Sequence, residues 1–306
     1  MRQSLPQATF GDISKFLQRY PNPLLARVLP YSLLRSYIRS LGFFYYQLNR
    51  KQRQIVVSSY LTSLNGQVEW HNKNLLLKKM FLGIFDHYAE KLFFAFKPPA
   101  TTYRFLTARS RIQNASLLDR MIALGGGLLV TGHFGAVEFL AGVLASNNYQ
   151  VAMIARFKTQ ILKKALSRVV RYYDILAIDA DEGLALTKGI RAVRKGRILI
   201  TLCDEFKYWR PDNGNQVNIF GALVPADRTL NILYNRLKSP ACLGVLSRSS
   251  DRYDLFLEQL ADGKNCPNLS TMSWKILAEY ISRYPEQWYQ WSSVAKGLAT
   301  YRLKER

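Results

Sequence analysis

Apolar positions follow two regimes along the chain. Over residues 1–100 they recur at helical spacing. After Pro30, the residues Leu33, Leu34, Ile38 and Leu41 predict a helix opened by proline. A second run, 75–96, is rich in Leu and Phe and stops at Pro98-Pro99, as a helix does before prolines. Beyond residue 100 the apolar runs shorten. Segments 125–132, 149–154, 175–178 and 197–202 read as buried strands, and helical stretches at about 136–146, 158–172 and 183–195 separate them. Two more strands, 241–247 and 253–259, precede a helix at about 270–283. Strands alternating with helices predict an α/β fold: a mixed, mainly parallel central sheet flanked by helices, with an N-terminal helical cap. With no internal repeat or low-complexity linker, 1–306 is expected to form one domain, with 1–100 as a membrane-apposed cap and 101–306 as the core.

Composition adds a partner class to this picture. The 306 residues are 48% hydrophobic and 13% aromatic, which excludes general disorder. Lys plus Arg number 43 against 21 acidic residues, a formal charge of +22. Such an excess draws a protein to nucleic acid, anionic lipid headgroups or an acidic protein. The first sixty residues hold Arg2, Lys15, Arg19, Arg27, Arg35, Arg39, Arg50, Lys51 and Arg53 against Asp12 alone. A basic, aromatic-bearing amphipathic segment either lies in a bilayer interface or packs its apolar face on its own domain with the arginines in solvent. A second basic stretch includes Arg156, Lys158, Arg168, Arg171 and the run 191–197, which reads as a solvated helix end or as a steering patch for an acidic carrier or membrane. The sequence has no helix-turn-helix signature, RNP block or zinc spacing, so no nucleic-acid partner is expected.

Cys203, Cys242 and Cys266 are far apart and odd in number. They form neither a disulfide framework nor a CxxC metal signature, so a reducing, cytoplasmic compartment and no metal are expected. The first thirty residues lack an apolar signal core, and no run reaches the roughly 18 apolar residues of a spanning helix. Attachment to a membrane is therefore expected to be peripheral.

Of the three histidines, His71, His87 and His133, the last stands directly after the strand at 125–132 and before a helix. Open α/β sheets present functional groups there, beyond the carboxyl end of a strand. Glu138 follows five residues on. Inside one helix the two would be about 140° apart and would not meet. With His133 on the loop, the carboxylate returns to the ring and fixes its tautomer, leaving the other nitrogen to take a hydroxyl proton. That arrangement suits a substrate alcohol as nucleophile.

The block Thr131-Gly-His-Phe-Gly-Ala-Val-Glu-Phe-Leu-Ala-Gly142 resembles the catalytic block of the lipid A late acyltransferases, within the lysophospholipid acyltransferase superfamily. Further blocks follow in that family's order: Leu29-Pro-Tyr31, Leu41-Gly42, Ala155-Arg156, Leu202-Cys-Asp204, Asn218-Ile-Phe-Gly221 and Tyr284-Pro-Glu-Gln-Trp288. The resemblance implies His133 as general base and Glu138 as its orienting partner. The implied reaction is direct attack of an acceptor hydroxyl on an acyl thioester carried by acyl carrier protein or coenzyme A, without cofactor. It places Arg156 near the donor or an acceptor phosphate, with Arg168 or Arg171 sharing that work, and gives Asp204 and Gly221 to the acceptor side. The implied acceptor is an anionic membrane lipid, a lipid A-type glycolipid first and a glycerophospholipid or other amphipathic alcohol second. The implied location is the membrane surface at the cytoplasmic face of the inner membrane.

Simpler roles stand beside these. Arg156 suits a solvated strand edge, Gly221 a turn of positive φ, and Trp288 and Trp291 packing. A non-catalytic basic protein that binds lipid or nucleic acid is the alternative to an enzyme. Two departures from the family pattern stand out: no N-terminal run reaches the length of a spanning helix, so none is expected, and Trp288 is followed by Tyr289-Gln-Trp-Ser-Ser-Val, without the histidine and arginine usual there.

Overall fold

A seven-stranded sheet forms the centre of the computed structural model, which describes residues 13–63, 70–157, 159–250, 252–264, 268–294 and 297. Arg2, Asp12, Lys158, Cys266 and the side chain of His71 lie outside the described residues. The strands are β1 Ser110–Ile112, β2 Gly127–Thr131, β3 Val151–Ala155, β4 Leu176–Asp179, β5 Ile198–Leu202, β8 Pro240–Arg248 and β9 Tyr253–Asp262. Their order is β1-β9-β8-β2-β5-β3-β4. All neighbours run parallel except β8 and β9. Every residue of β2 is buried, as a strand covered on both faces requires. Helices α8 (Val137–Ser146), α9 (Gln160–Tyr172) and α10 (Ala185–Arg194) return the chain between parallel strands. The mixed, mainly parallel sheet and the N-terminal helical region read from the sequence are both present.

A two-residue turn, Phe220-Gly221, joins the separate antiparallel pair β6 (Pro211–Ile219) and β7 (Ala222–Asp227). Both turn residues have positive φ, 50° and 85°, the geometry that matches the right-handed twist of a hairpin and favours glycine at its second position. Trp274 donates from Nε1 to the Asn218 carbonyl at 3.1 Å, and the Phe220 ring stacks on Trp291.

The N-terminal helices are α1 Ile13–Leu17, α2 Asn22–Val28, α3 Tyr31–Leu48, α4 Arg50–Ser63, α5 Trp70–Phe96 and α6 Pro99–Arg109. Leu34, Ile38, Gly42 and Tyr46 of α3 are buried at four-residue spacing, and α3 packs on α5. Arg35 and Arg39, one turn apart, reach the same carboxylate of α5: each makes two hydrogen bonds to Asp86 at 2.7–2.8 Å. Burial pushes the Asp86 carboxyl up, but the two guanidinium groups outweigh it and hold it below the usual range. The charges of these two arginines are therefore committed to Asp86, although each side chain keeps 31% exposure. Leu33, Phe44 and Leu48 of α3 remain exposed, within about 60° of one another around the helix axis.

Helix α5 also binds the sheet. Glu90, completely buried, accepts from Nε and Nη2 of Arg248 at 2.6 and 3.0 Å. Arg248 is the last residue of β8. Tyr31, from the Leu-Pro-Tyr block, reaches the same carboxylate at 3.5 Å. Burial pushes the Glu90 carboxyl up, against the pull of Arg248. Arg248→Met should destabilise the fold by about 3–5 kcal/mol at neutral pH, because Glu90 loses its counter-charge. The deficit should shrink as pH falls, since protonating a carboxyl of raised pKa becomes less costly. Denaturant midpoints across pH, with an unchanged slope, read both effects. A loss below about 1 kcal/mol would contradict this role of the pair.

Candidate functional site

The sheet register brings two distant residues side by side. Thr131, the last residue of β2, pairs with Leu202, the last of β5. His133 and Asp204 each lie two residues further on, at the same carboxyl edge, although 71 positions separate them. Asp204 is completely buried. Its Oδ1 lies 2.7 Å from His133 Nδ1, and its Oδ2 accepts from the His133 backbone N–H at 2.7 Å and from Trp288 Nε1 at 2.8 Å. A buried carboxylate is tolerated when donors of this kind surround it.

The loop that carries His133 is fixed from both sides. Gly135 donates to the Gln287 carbonyl at 2.8 Å, Ala136 to the Leu246 carbonyl at 2.8 Å, and Tyr289 to the His133 carbonyl at 3.3 Å. Gly135 has φ +57°, and any Cβ there would meet the Leu246 carbonyl, so only glycine fits. Arg248 also donates to the Gly135 carbonyl. Gln287 closes the arrangement, accepting from the Arg248 backbone N–H at 2.7 Å and donating to Ser247 Oγ at 3.0 Å. The Pro-Glu-Gln-Trp block thus supports the loop through Gln287 and holds Asp204 through Trp288.

Burial lowers the affinity of His133 for a proton, but the charge and hydrogen bond of Asp204 outweigh it, so the imidazole sits above its ordinary value. With Nδ1–H donated to Asp204, Nε2 is left to accept a proton. The ring keeps 15% side-chain exposure, so it can be reached.

Glu138 lies in the first turn of α8 and faces α5. Its Oε1 is 2.9 Å from Lys91 Nζ and 3.4 Å from His87 Nε2. His87 stacks on Tyr289 with ring centroids 3.5 Å apart, and Tyr289 presents an edge contact to His133 at 5.1 Å. The imidazole bond that spacing suggested for Glu138 is made by Asp204, because the β2–β5 register delivers that carboxylate directly to Nδ1.

Arg156 follows β3 at the same edge. It binds Glu205 at 2.6 Å and Asp181 at 3.1 Å, with its guanidinium 3.5 Å from the Tyr208 ring centre. Arg168 and Arg171 are exposed in the second half of α9, which runs back toward the amino ends of the strands. The structure does not bring them to His133. The run 191–197 lies at that far end too: Arg197 immediately precedes β5 and binds the Asp174 carbonyl at 2.8 Å. Gly221 closes the β6–β7 turn and donates its N–H to Asn218 Oδ1 at 2.7 Å.

His87, Glu90, Lys91, Gln287, Trp288, Tyr289 and Arg248 were not singled out for these contacts in the sequence. A signal existed for three of them, since 87, 90 and 91 share one helical face of a segment already read as helix. Among the described residues, no group of His, Cys, Asp and Glu could hold a metal ion.

Comparison with known proteins adds one finding. The family model for bacterial lipid A biosynthesis acyltransferases matches residues 23–291, a span that contains every contact of the His133 site given above. No curated protein matches the chain.

The Asp204 contact predicts a titration. Followed by NMR, the His133 imidazole should titrate above an ordinary histidine of about 6.5. In Asp204→Asn it should fall below that value, because burial then acts without the opposing charge. An unchanged midpoint would remove Asp204 as the source of the shift.

Proposed function

The chain belongs to the bacterial lipid A biosynthesis acyltransferase family, and from that premise we propose that His133 is the base of a direct acyl transfer. The family supports acyltransferase activity on lipid A-type acceptors. In the reaction proposed for this chain, an acceptor hydroxyl gives its proton to His133 Nε2 as its oxygen attacks the carbonyl of an acyl thioester. The tetrahedral intermediate collapses with expulsion of the thiolate, which takes the proton back from the imidazolium. An ester and a free thiol result, and no covalent enzyme intermediate forms. The donor is a thioester of acyl carrier protein or coenzyme A, and the acceptor a hydroxyl of a membrane glycolipid.

The observation that supports this reading most directly is the 2.7 Å contact of His133 Nδ1 with buried Asp204, which leaves Nε2 as the proton acceptor. Asp204 therefore acts on the base rather than on the acceptor. Glu138 acts through Lys91, whose ammonium it holds 2.9 Å away beside the histidine. Arg156, paired with Glu205, steadies the segment that carries Asp204. Gly221 acts by shaping its turn.

Membrane attachment fits a peripheral mode at the cytoplasmic face of the inner membrane. No described helix is long and apolar enough to cross a membrane. Tyr20, Val28, Phe43, Phe44 and Leu48 of the N-terminal helical region are more than half exposed, near Arg19, Arg27 and Arg50 in the chain, a combination suited to a bilayer interface.

Purified His133→Ala should lose roughly 10²–10⁴-fold in transfer rate, the contribution of a general base, with its fold intact. Glu138→Gln should lose less, since the base and its carboxylate remain. Mass spectrometry of a lipid A-type acceptor incubated with acyl carrier protein or coenzyme A thioesters measures both. Near wild-type turnover by His133→Ala would sink the proposal.

A further inference from the structure

A second concentration of charge lies where α2, α5, α6 and α9 meet. A cavity of about 180 Å³ opens there, with Arg27, Lys97 and Arg168 as its cations, Phe96, Ala165 and Val169 among its apolar lining, and no acidic residue. Lys97 donates to the carbonyls of Val28 at 3.0 Å and Leu29 at 2.7 Å. Those bonds fix its ammonium, which has a third donor with no hydrogen bond among the described residues. Among the described residues, neither Arg27 nor Arg168 forms an ion pair. Pro98 and Pro99, at the start of the 11-residue helix α6, also line the cavity, so the positive end of that helix adds to the field. Three cations gathered around an apolar floor repel one another until an anion arrives. Guanidinium groups match phosphate oxygens in particular.

What surrounds the mouth indicates where that phosphate comes from. Leu24 and Val28, one turn apart on α2 and flanking Arg27, are 48% and 67% exposed. They form an apolar shoulder beside a cationic cavity, the arrangement that a lipid headgroup with attached chains requires. We infer that this cavity binds the phosphate group of a membrane lipid, at a place distinct from His133. Lys97 lies six residues from Lys91 along the α5 direction, a rise of about 9 Å. Arg168 thereby acquires a place in the molecule, whereas Arg171 does not line the cavity. Binding of lipid phosphate there requires no acyl transfer.

Binding of the full chain to vesicles tests it without an activity assay. The comparison is between the wild type, Arg27→Ser/Arg168→Ser, and Arg191→Ser/Arg194→Ser, which removes the same charge from exposed positions on α10. On phosphatidylcholine vesicles containing phosphatidic acid, the Arg27/Arg168 variant should bind roughly tenfold or more weakly than wild type, while the α10 variant stays within about twofold. Equal losses in both variants would reduce the effect to general charge and overturn the site. If inorganic phosphate protects the wild type but not the Arg27/Arg168 variant from heat, while all three bind vesicles alike, the site takes free phosphate and the lipid assignment fails.

Discussion

A carboxylate sealed from water needs donors, and those of Asp204 come from two other, widely separated parts of the chain. The His133 ring and backbone N–H arrive from the end of β2, the indole N–H of Trp288 from the C-terminal region, and Asp204 itself from the end of β5. Removing a donor would leave a buried charge under-satisfied, at a cost comparable to a substantial part of a domain's stability. The same three contacts that make the carboxylate tolerable also orient the imidazole. In the proposed mechanism, stability and chemistry at this edge of the sheet therefore rest on one constraint.

Helix α5 extends that constraint into the N-terminal region. Its Asp86 gathers Arg35 and Arg39, its Glu90 holds Arg248 beneath the His133 loop, and its Lys91 meets Glu138. Residues of the N-terminal helical region therefore contribute directly to the surroundings of His133. The α5 face at 86–91 forms one wall of the site, and α3 is tied to that wall by paired charges as well as by its buried apolar row. Burial around the Glu90–Arg248 pair leaves little room for adjustment, because each charge depends on the other.

Strands bounded by glycine or polar residues were legible as apolar runs, which is why β2 to β5, β8 and β9 could be read from the sequence. The β6–β7 hairpin was not, since Asp212-Asn-Gly-Asn-Gln216 offers no alternation, and its pairing depends on a turn seated among tryptophans. Strand β1 has three residues, too few for any period. At the site, His133 was visible from its place after a strand. The partnership with Asp204 was not, because β3 and β4 intervene in sequence while the sheet sets β5 directly beside β2. Arg35 and Arg39 looked like surface charges because helical spacing shows which residues share a face, but not which carboxylate lies opposite. Their partner, Asp86, was within a helix already recognised.

In the proposed mechanism Asp204, and not Glu138, acts through the imidazole of His133. Single-turnover rates in two double-mutant cycles measure this coupling directly, one pairing His133→Ala with Asp204→Asn and the other pairing it with Glu138→Gln. Asp204→Asn should slow the wild type strongly yet add little once His133 is absent, whereas Glu138→Gln should lower the rate in both backgrounds by similar factors. Strong coupling of His133 to Glu138, together with independent effects of His133 and Asp204, would contradict that mechanism.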